Sequence, residues 1–229
     1  MKHFVIAGGS HGIGLGIAQQ LLNQGHKVTC ISRTAPGISH SALSLITCDF
    51  SQTAEIPGIE GPIDGVAYCP GSINLKMFRS LKPEEFQQDF DLNVMGAVRL
   101  LQKLQPGLKA VQGSSVVLFS TVAVQQGMAF HSSIAAAKGA IEGLTRSLAA
   151  EWAPSIRVNA IAPSLVETPL SAKLLSSPEK AEASAKRHPL ARVGKPEDIA
   201  SLAVFLLGEQ SGWITGQVMG VDGGMSVLR

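Results

Sequence analysis

Apolar residues along this chain gather into short runs, each followed by a stretch with helical spacing. The first run, 4–7, stops at Gly8-Gly9. Beyond it Ile13, Ile17 and Leu21 recur at the helical interval until Gly25. A short apolar run bounded by turn residues reads as a strand, and a period near 3.6 reads as a helix. The opening therefore predicts a strand, a tight glycine turn, and a helix whose N-terminus faces that turn. Further runs at 27–31, 43–47, 65–68, 116–119, 156–161 and 217–221 predict six more strands. Longer periodic stretches predict helices over 83–105, with Pro83 in the first turn, and over 132–152 and 196–207. Between the third and fourth strands, 51–62 is short and rich in Pro and Gly, so an abbreviated crossover is expected there.

Strands alternating with helices imply an α/β fold, with a parallel sheet covered by helices on both faces. The 229 residues suffice for one doubly wound domain with a buried core and would be cramped for two. No internal repeat or low-complexity linker divides the chain, so 1–229 is expected to be a single domain.

Charge and cysteine content narrow the function. The formal net charge is +2 and no basic run is dense, which argues against a nucleic-acid partner. Lys186-Arg187-His188 comes nearest and is expected to be a solvated loop. No apolar stretch reaches membrane-spanning length. The apolar run after Met1-Lys2 leads into the glycine turn without a small-residue cleavage pattern, so it is not expected to act as a signal peptide. Cys30, Cys48 and Cys69 are odd in number and lack metal-ligand spacing. Free buried thiols in a reducing cytoplasm, with no metal, are the expectation.

Glycines before a helix N-terminus let a phosphate approach unpaired N–H groups and the positive end of the helix dipole. A glycine-rich segment alone reads equally well as a flexible loop; here the flanking strand and helix favour a dinucleotide site. In such folds an acidic residue after the second strand holds the adenosine ribose, whereas an Arg accommodates a 2′-phosphate. This chain has no Asp or Glu before Asp49, and Ser32-Arg33 closes the second strand. NADP(H) is therefore expected over NAD(H).

Across nearly its whole length the sequence resembles the short-chain dehydrogenase/reductase family, of Rossmann type. Gly8, Gly12 and Gly14 match the family's glycine motif, which encloses Ser10, His11 and Ile13. The acidic adenine contact falls on Asp49, followed by Phe50, and the helix asparagine on Asn93 within DLNVMGA. RVNAIAP (157–163) precedes the nicotinamide loop, where Val166 and Thr168 take the carboxamide and phosphate positions. RVGKPEDIA (192–200) and VDGG (221–224) are also family-like. The resemblance implies an oxidoreductase acting on a carbonyl, alcohol or enoyl substrate, a homodimer or homotetramer, and a substrate lid around 165–190. A pair of surface helices would give that last segment the same pattern.

The family's chemistry uses a Tyr four residues before a Lys, so that the ammonium lowers the phenol's pKa from the same helix face. Lys138 fills the lysine position, which orients the nicotinamide ribose, but Ile134 stands where the Tyr is expected. The serine position holds Thr121, whose hydroxyl can hold a carbonyl oxygen. Asn-Asn-Ala-Gly is replaced by Tyr68-Cys69-Pro70-Gly71, with only Gly71 kept, and Ser164 replaces a glycine. Tyr68 is the sole tyrosine and lies near a strand end. His131, seven residues before Lys138, matches the tyrosine spacing of divergent enoyl-thioester reductases. It reads either as a displaced acid or as a solvent-facing helix cap. Ser132 and Ser133 read most simply as the N-cap of the long helix. Three functions remain open: an NADP(H) oxidoreductase with a displaced acid, a silent NADP(H)-binding sensor or partner subunit, and a scaffold without nucleotide.

Overall fold

Phe4 and Ile6 pack on one face of the first strand, β1 (His3–Ala7), while Val5 and Ala7 pack on the other. This is the two-sided burial that a parallel sheet between helical layers requires. The computed structural model describes residues 1–52, 56 and 58–228. The expected crossover at 51–62 lies in part outside the described residues.

The strands after β1 are β2 (Lys27–Ser32), β3 (Leu43–Thr47), β4 (Gly65–Tyr68), β5 (Ser114–Phe119), β6 (Ile156–Pro163) and β7 (Val218–Val221). They form one parallel sheet in the order β3-β2-β1-β4-β5-β6-β7. The chain reverses its direction of travel across the sheet between β1 and β4, which opens a crevice at the carboxyl ends of these strands.

Helix α1 (Gly12–Asn23) and helix α7 (Pro196–Leu207) cover one face, with Ile17, Leu21, Ile199 and Leu206 packed on Ile6, Val117 and Ile161. The opposite face carries α3 (Gly96–Lys109) and α5 (Ser132–Trp152), through Leu100, Leu104, Leu108 and Ile141, and α2 (Pro83–Phe90) packs against α5. A π turn, Asp91–Met95, joins α2 to α3. Such turns insert one residue into the helical ladder and recur at functional sites. A short helix, α4 (Ala123–Gln126), follows β5.

Arg157, near the start of β6, is buried and among the described residues has no carboxylate partner. Its Nη1 donates to the Leu206 carbonyl at 2.9 Å and to Ser211 Oγ at 2.8 Å, and its Nη2 donates to the Gly208 carbonyl at 2.9 Å. A cation on these carbonyls satisfies the acceptors left at the C-terminus of α7 and complements its dipole.

Between β6 and α7 lie a 3₁₀ segment (Pro169–Leu175) and helix α6 (Pro178–Ala185), in the region read as a lid. Among the described residues no helix is long and apolar enough to cross a membrane. No group of metal-binding side chains gathers there either.

Candidate active site

The glycine turn leaves β1 at its carboxyl end and enters α1 beside the crevice. Gly12 has φ +54°, a left-handed conformation that side chains resist. A Cβ on Gly14 would lie 2.3 Å from the Gly8 carbonyl oxygen, so the turn closes only without one. The first turn of α1 holds no acidic residue, and the N-cap His11 makes no side-chain cap bond. His11 Nδ1 instead pairs with Ser10 Oγ at 2.9 Å. The helix end therefore presents its amides and its positive pole to the crevice, a cradle that fits a pyrophosphate. Ile13 and Thr168 border it, Thr168 as the N-cap of the 3₁₀ segment.

Beyond β2, Ser32 is buried with its hydroxyl on the Thr34 carbonyl at 2.8 Å, and Arg33 is exposed. Asp49 follows β3 and accepts from Ser51 N–H and Oγ at 3.0 and 2.7 Å, which hold its carboxyl below the usual range. Phe50 is buried edge-on against Tyr68, their ring centroids 5.3 Å apart.

A cavity of about 330 Å³ opens at the carboxyl ends of β4, β5 and β6. Gly71, Thr121, His131, Ile134, Lys138, Val166 and Thr168 all line it. Lys138 is buried, and burial lowers its ammonium from the ordinary 10.5 to about 8, while Cys69 and Asp89 act in the opposite direction. Asn93 projects from the π turn. Its Nδ2 donates to the Asp89 carbonyl at 2.7 Å and to Ser72 Oγ at 2.9 Å. Its Oδ1 is buried without a partner. An ideal Cβ on Gly71 would stand 3.4 Å from that oxygen and 3.6 Å from Lys138 Nζ, so Asn93 Oδ1 and the ammonium border the same small space.

Two parts of the sequence reading are corrected by the structure, and a third feature is absent from it. Neither Ser132 nor Ser133 caps α5: the N-cap is His131, and Ser133 Oγ is buried without a partner. Helix α5 begins at Ser132 itself, so both serines fall inside its first turn. Lys186-Arg187-His188 is not simply a solvated loop, because His188 is only 5% exposed and lines the cavity together with Arg187. The third is Asp89, a buried carboxylate on α2 that receives the Ser72 hydroxyl at 2.6 Å. Spacing alone does not mark Asp89 or His188, because their partners are distant in sequence.

His131 is half-buried, with Nδ1 on the Ala129 carbonyl at 2.7 Å. A carbonyl only accepts, so Nδ1 carries the hydrogen and Nε2 is the atom free to exchange a proton. The preceding residue, Phe130, is held at φ +70°, a strained conformation of the kind found where surrounding structure over-determines a site. Tyr68 is buried, its hydroxyl on the Leu92 carbonyl at 2.6 Å, and burial raises its pKa far above the ordinary range. It does not line the cavity.

The family model described as enoyl-(acyl carrier protein) reductase matches residues 7–226. L-xylulose reductase of Bos taurus is 32% identical over 235 residues, covering 97% of this chain and 96% of that protein. A tropinone reductase homologue of Arabidopsis thaliana is 34% identical over 245 residues, covering 99% and 92%. The ligand-free aldohexose dehydrogenase of Thermoplasma acidophilum aligns with a TM-score of 0.90 at 28% identity, over 100% of this chain and 95% of that one. A candidate 2-deoxy-D-gluconate 3-dehydrogenase of Agrobacterium tumefaciens, solved with bound NADP, gives 0.88 at 28% identity, over 98% and 96%.

Proposed function

Because this chain belongs to the short-chain dehydrogenase/reductase family, we propose that it is an NADP(H)-dependent oxidoreductase acting on a carbonyl, alcohol or enoyl compound. One observation carries this reading. The glycine cradle and the facing pair of Asn93 Oδ1 and Lys138 Nζ border one crevice, with the cavity beside them.

In this reading Gly8, Ser10, His11, Gly12, Ile13 and Gly14 hold the pyrophosphate. Ser32 and Arg33 receive the 2′-phosphate, which the absence of any acid before Asp49 supports. Asp49 and Phe50 border adenine. Gly71, Val166 and Thr168 border the nicotinamide half, and Lys138 holds its ribose. Bound NADPH supplies a hydride to the electrophilic carbon. The chain positions the substrate oxygen on the Thr121 hydroxyl and delivers a proton to it from Nε2 of the doubly protonated His131 ring, which is left neutral with its hydrogen on Nδ1, since Ile134 has none to give. Asn93 Oδ1 and Lys138 hold a water between them that replenishes the proton.

Ile134 itself favours a second reading. It is buried against the cavity four residues before Lys138, and an apolar side chain there suits a silent NADP(H)-binding sensor or partner subunit. Titration with NADPH and NADH, then NADPH oxidation over a carbonyl and enoyl panel, separates the two. Wild-type turnover that disappears in His131→Gln supports the enzyme. NADPH binding without turnover, with activity gained in Ile134→Tyr, supports the silent subunit. If neither nucleotide binds, both readings fail. The same proposal has the chain act in the cytoplasm as a homodimer or homotetramer, which sedimentation of the purified protein tests.

A further inference from the structure

The cavity carries a chemical bias that hydride transfer does not require. Its walls are mostly apolar, with Ile73, Leu170, Leu174 and Met225 among them. Among the described residues the ionisable nitrogen groups lining it are Lys138, Arg187, His131 and His188, and no Asp or Glu faces it. Lys138 belongs to the nicotinamide side. Arg187 lines it from the segment read as a lid, and among the described residues it makes no ion pair.

The backbone carrying Arg187 is braced. Arg187 N–H donates to the Ser184 carbonyl at 3.2 Å, in the turn that closes α6. The next residue, His188, donates from Nδ1 to the same Ser184 carbonyl at 2.8 Å. That makes Nδ1 a donor, and Nε2 shares a hydrogen bond of 2.8 Å with Ser164 Oγ, just past β6. The Ala191 N–H then donates to the His188 carbonyl at 2.8 Å, with Ala191 at φ +55°. The lid end is thus tied to the sheet through a buried imidazole, and Arg187, the residue before it, lines the cavity from a braced backbone. A guanidinium so placed offers parallel N–H donors to a planar oxyanion. Because its backbone is already ordered, binding spends less on fixing it.

We propose that the substrate is an apolar oxo acid: its carboxylate pairs with Arg187, its hydrocarbon portion lies against Ile73, Leu170 and Leu174, and its oxo group faces Thr121. This rests on the reading of the site as an NADP(H)-dependent oxidoreductase. Arg187 is exposed at the rim, so its contribution weakens with salt.

Calorimetric titration of 2-oxooctanoate, 5-oxooctanoate and 7-oxooctanoate against their methyl esters tests the proposal, with and without saturating NADPH. At low salt at least one acid binds about tenfold more tightly than its ester. In Arg187→Gln that ratio falls to near one while NADPH affinity is unchanged, and Arg187→Lys keeps part of it. Esters that bind as tightly as acids throughout overturn the proposal, as does an acid preference that survives Arg187→Gln. So does a loss of NADPH affinity in Arg187→Gln, which would assign the side chain to the nucleotide's phosphates. Failure of wild type to bind NADPH overturns the functional reading above, and the nucleotide-free titrations still decide this one.

Discussion

The Tyr68 hydroxyl donates to the carbonyl of Leu92 at 2.6 Å, one residue before Asn93 in the π turn. The chain's sole tyrosine therefore supports the asparagine's backbone from beneath and does not reach substrate. Tyr68→Phe leaves a buried carbonyl without its donor, which costs about 1–3 kcal/mol. The expected outcome is a lower urea midpoint with any NADPH-dependent turnover retained. Abolished turnover at full stability would assign Tyr68 to the chemistry.

Gly14→Ala places a methyl group where the Gly8 carbonyl oxygen stands, 2.3 Å from the ideal Cβ. The turn must open, and the amides at the start of α1 lose their common aim. NADPH affinity is expected to fall by about a hundredfold or more, roughly the loss of two charge-assisted hydrogen bonds. Fluorescence titration reads this directly, and circular dichroism checks that the variant is folded.

Lys138 gives the fold a pH signature. Burial holds its ammonium at about 8 against an ordinary 10.5. Between those values the unfolded chain binds the proton and the folded chain has released it. Stability linked to this group therefore rises with pH through that window and is flat below it. Urea unfolding at several pH values should show wild type gaining on Lys138→Met from about pH 8 to about pH 10. A constant difference between the two proteins would contradict the burial of a charged amine.

Arg157 is expected to matter more for stability than for binding. Arg157→Met removes a charged donor from the Leu206, Gly208 and Ser211 carbonyls at once; the first two keep only hydroxyl donors from Ser115 and Ser211, and the Ser211 carbonyl loses its side-chain donor. The expected loss is about 3 kcal/mol or more. Arg157→Lys recovers only a fraction, because one ammonium cannot span the positions that the guanidinium fork reaches. Thermal unfolding of the three proteins checks the order.

Where element ends carry local signals, sequence and structure agree to the residue. The stretches read at 43–47, 65–68, 132–152 and 196–207 coincide with β3, β4, α5 and α7. The helix read to 105 runs on to Lys109, because Pro106 removes only the hydrogen bond to Gln102, an exposed residue near the helix end. Helix α4 spans four residues, too few for a period to register. The candidate site divides the same way. Gly12, Asn93, Thr121 and Lys138 stand in short motifs that match the family, so the resemblance marks them as candidates. Asp89 and His188 meet partners 17 and 24 residues away, Ser72 and Ser164, through tertiary folding alone. In sequence each looks like an ordinary polar residue of a surface segment.

The strand order also has a consequence for synthesis of the chain. β1 is made first, yet one of its two neighbours is β4, whose Gly65 pairs with Phe4 across 61 positions (65 − 4). Until β4 leaves the ribosome, a nascent β3-β2-β1 sheet ends in an apolar edge with unsatisfied amides, the kind of template that recruits other chains. Cooperative closure of the sheet waits on that long loop and then on β5 and β6. Polypeptides cut short before Gly65 should therefore need chaperone protection that the 229-residue chain does not.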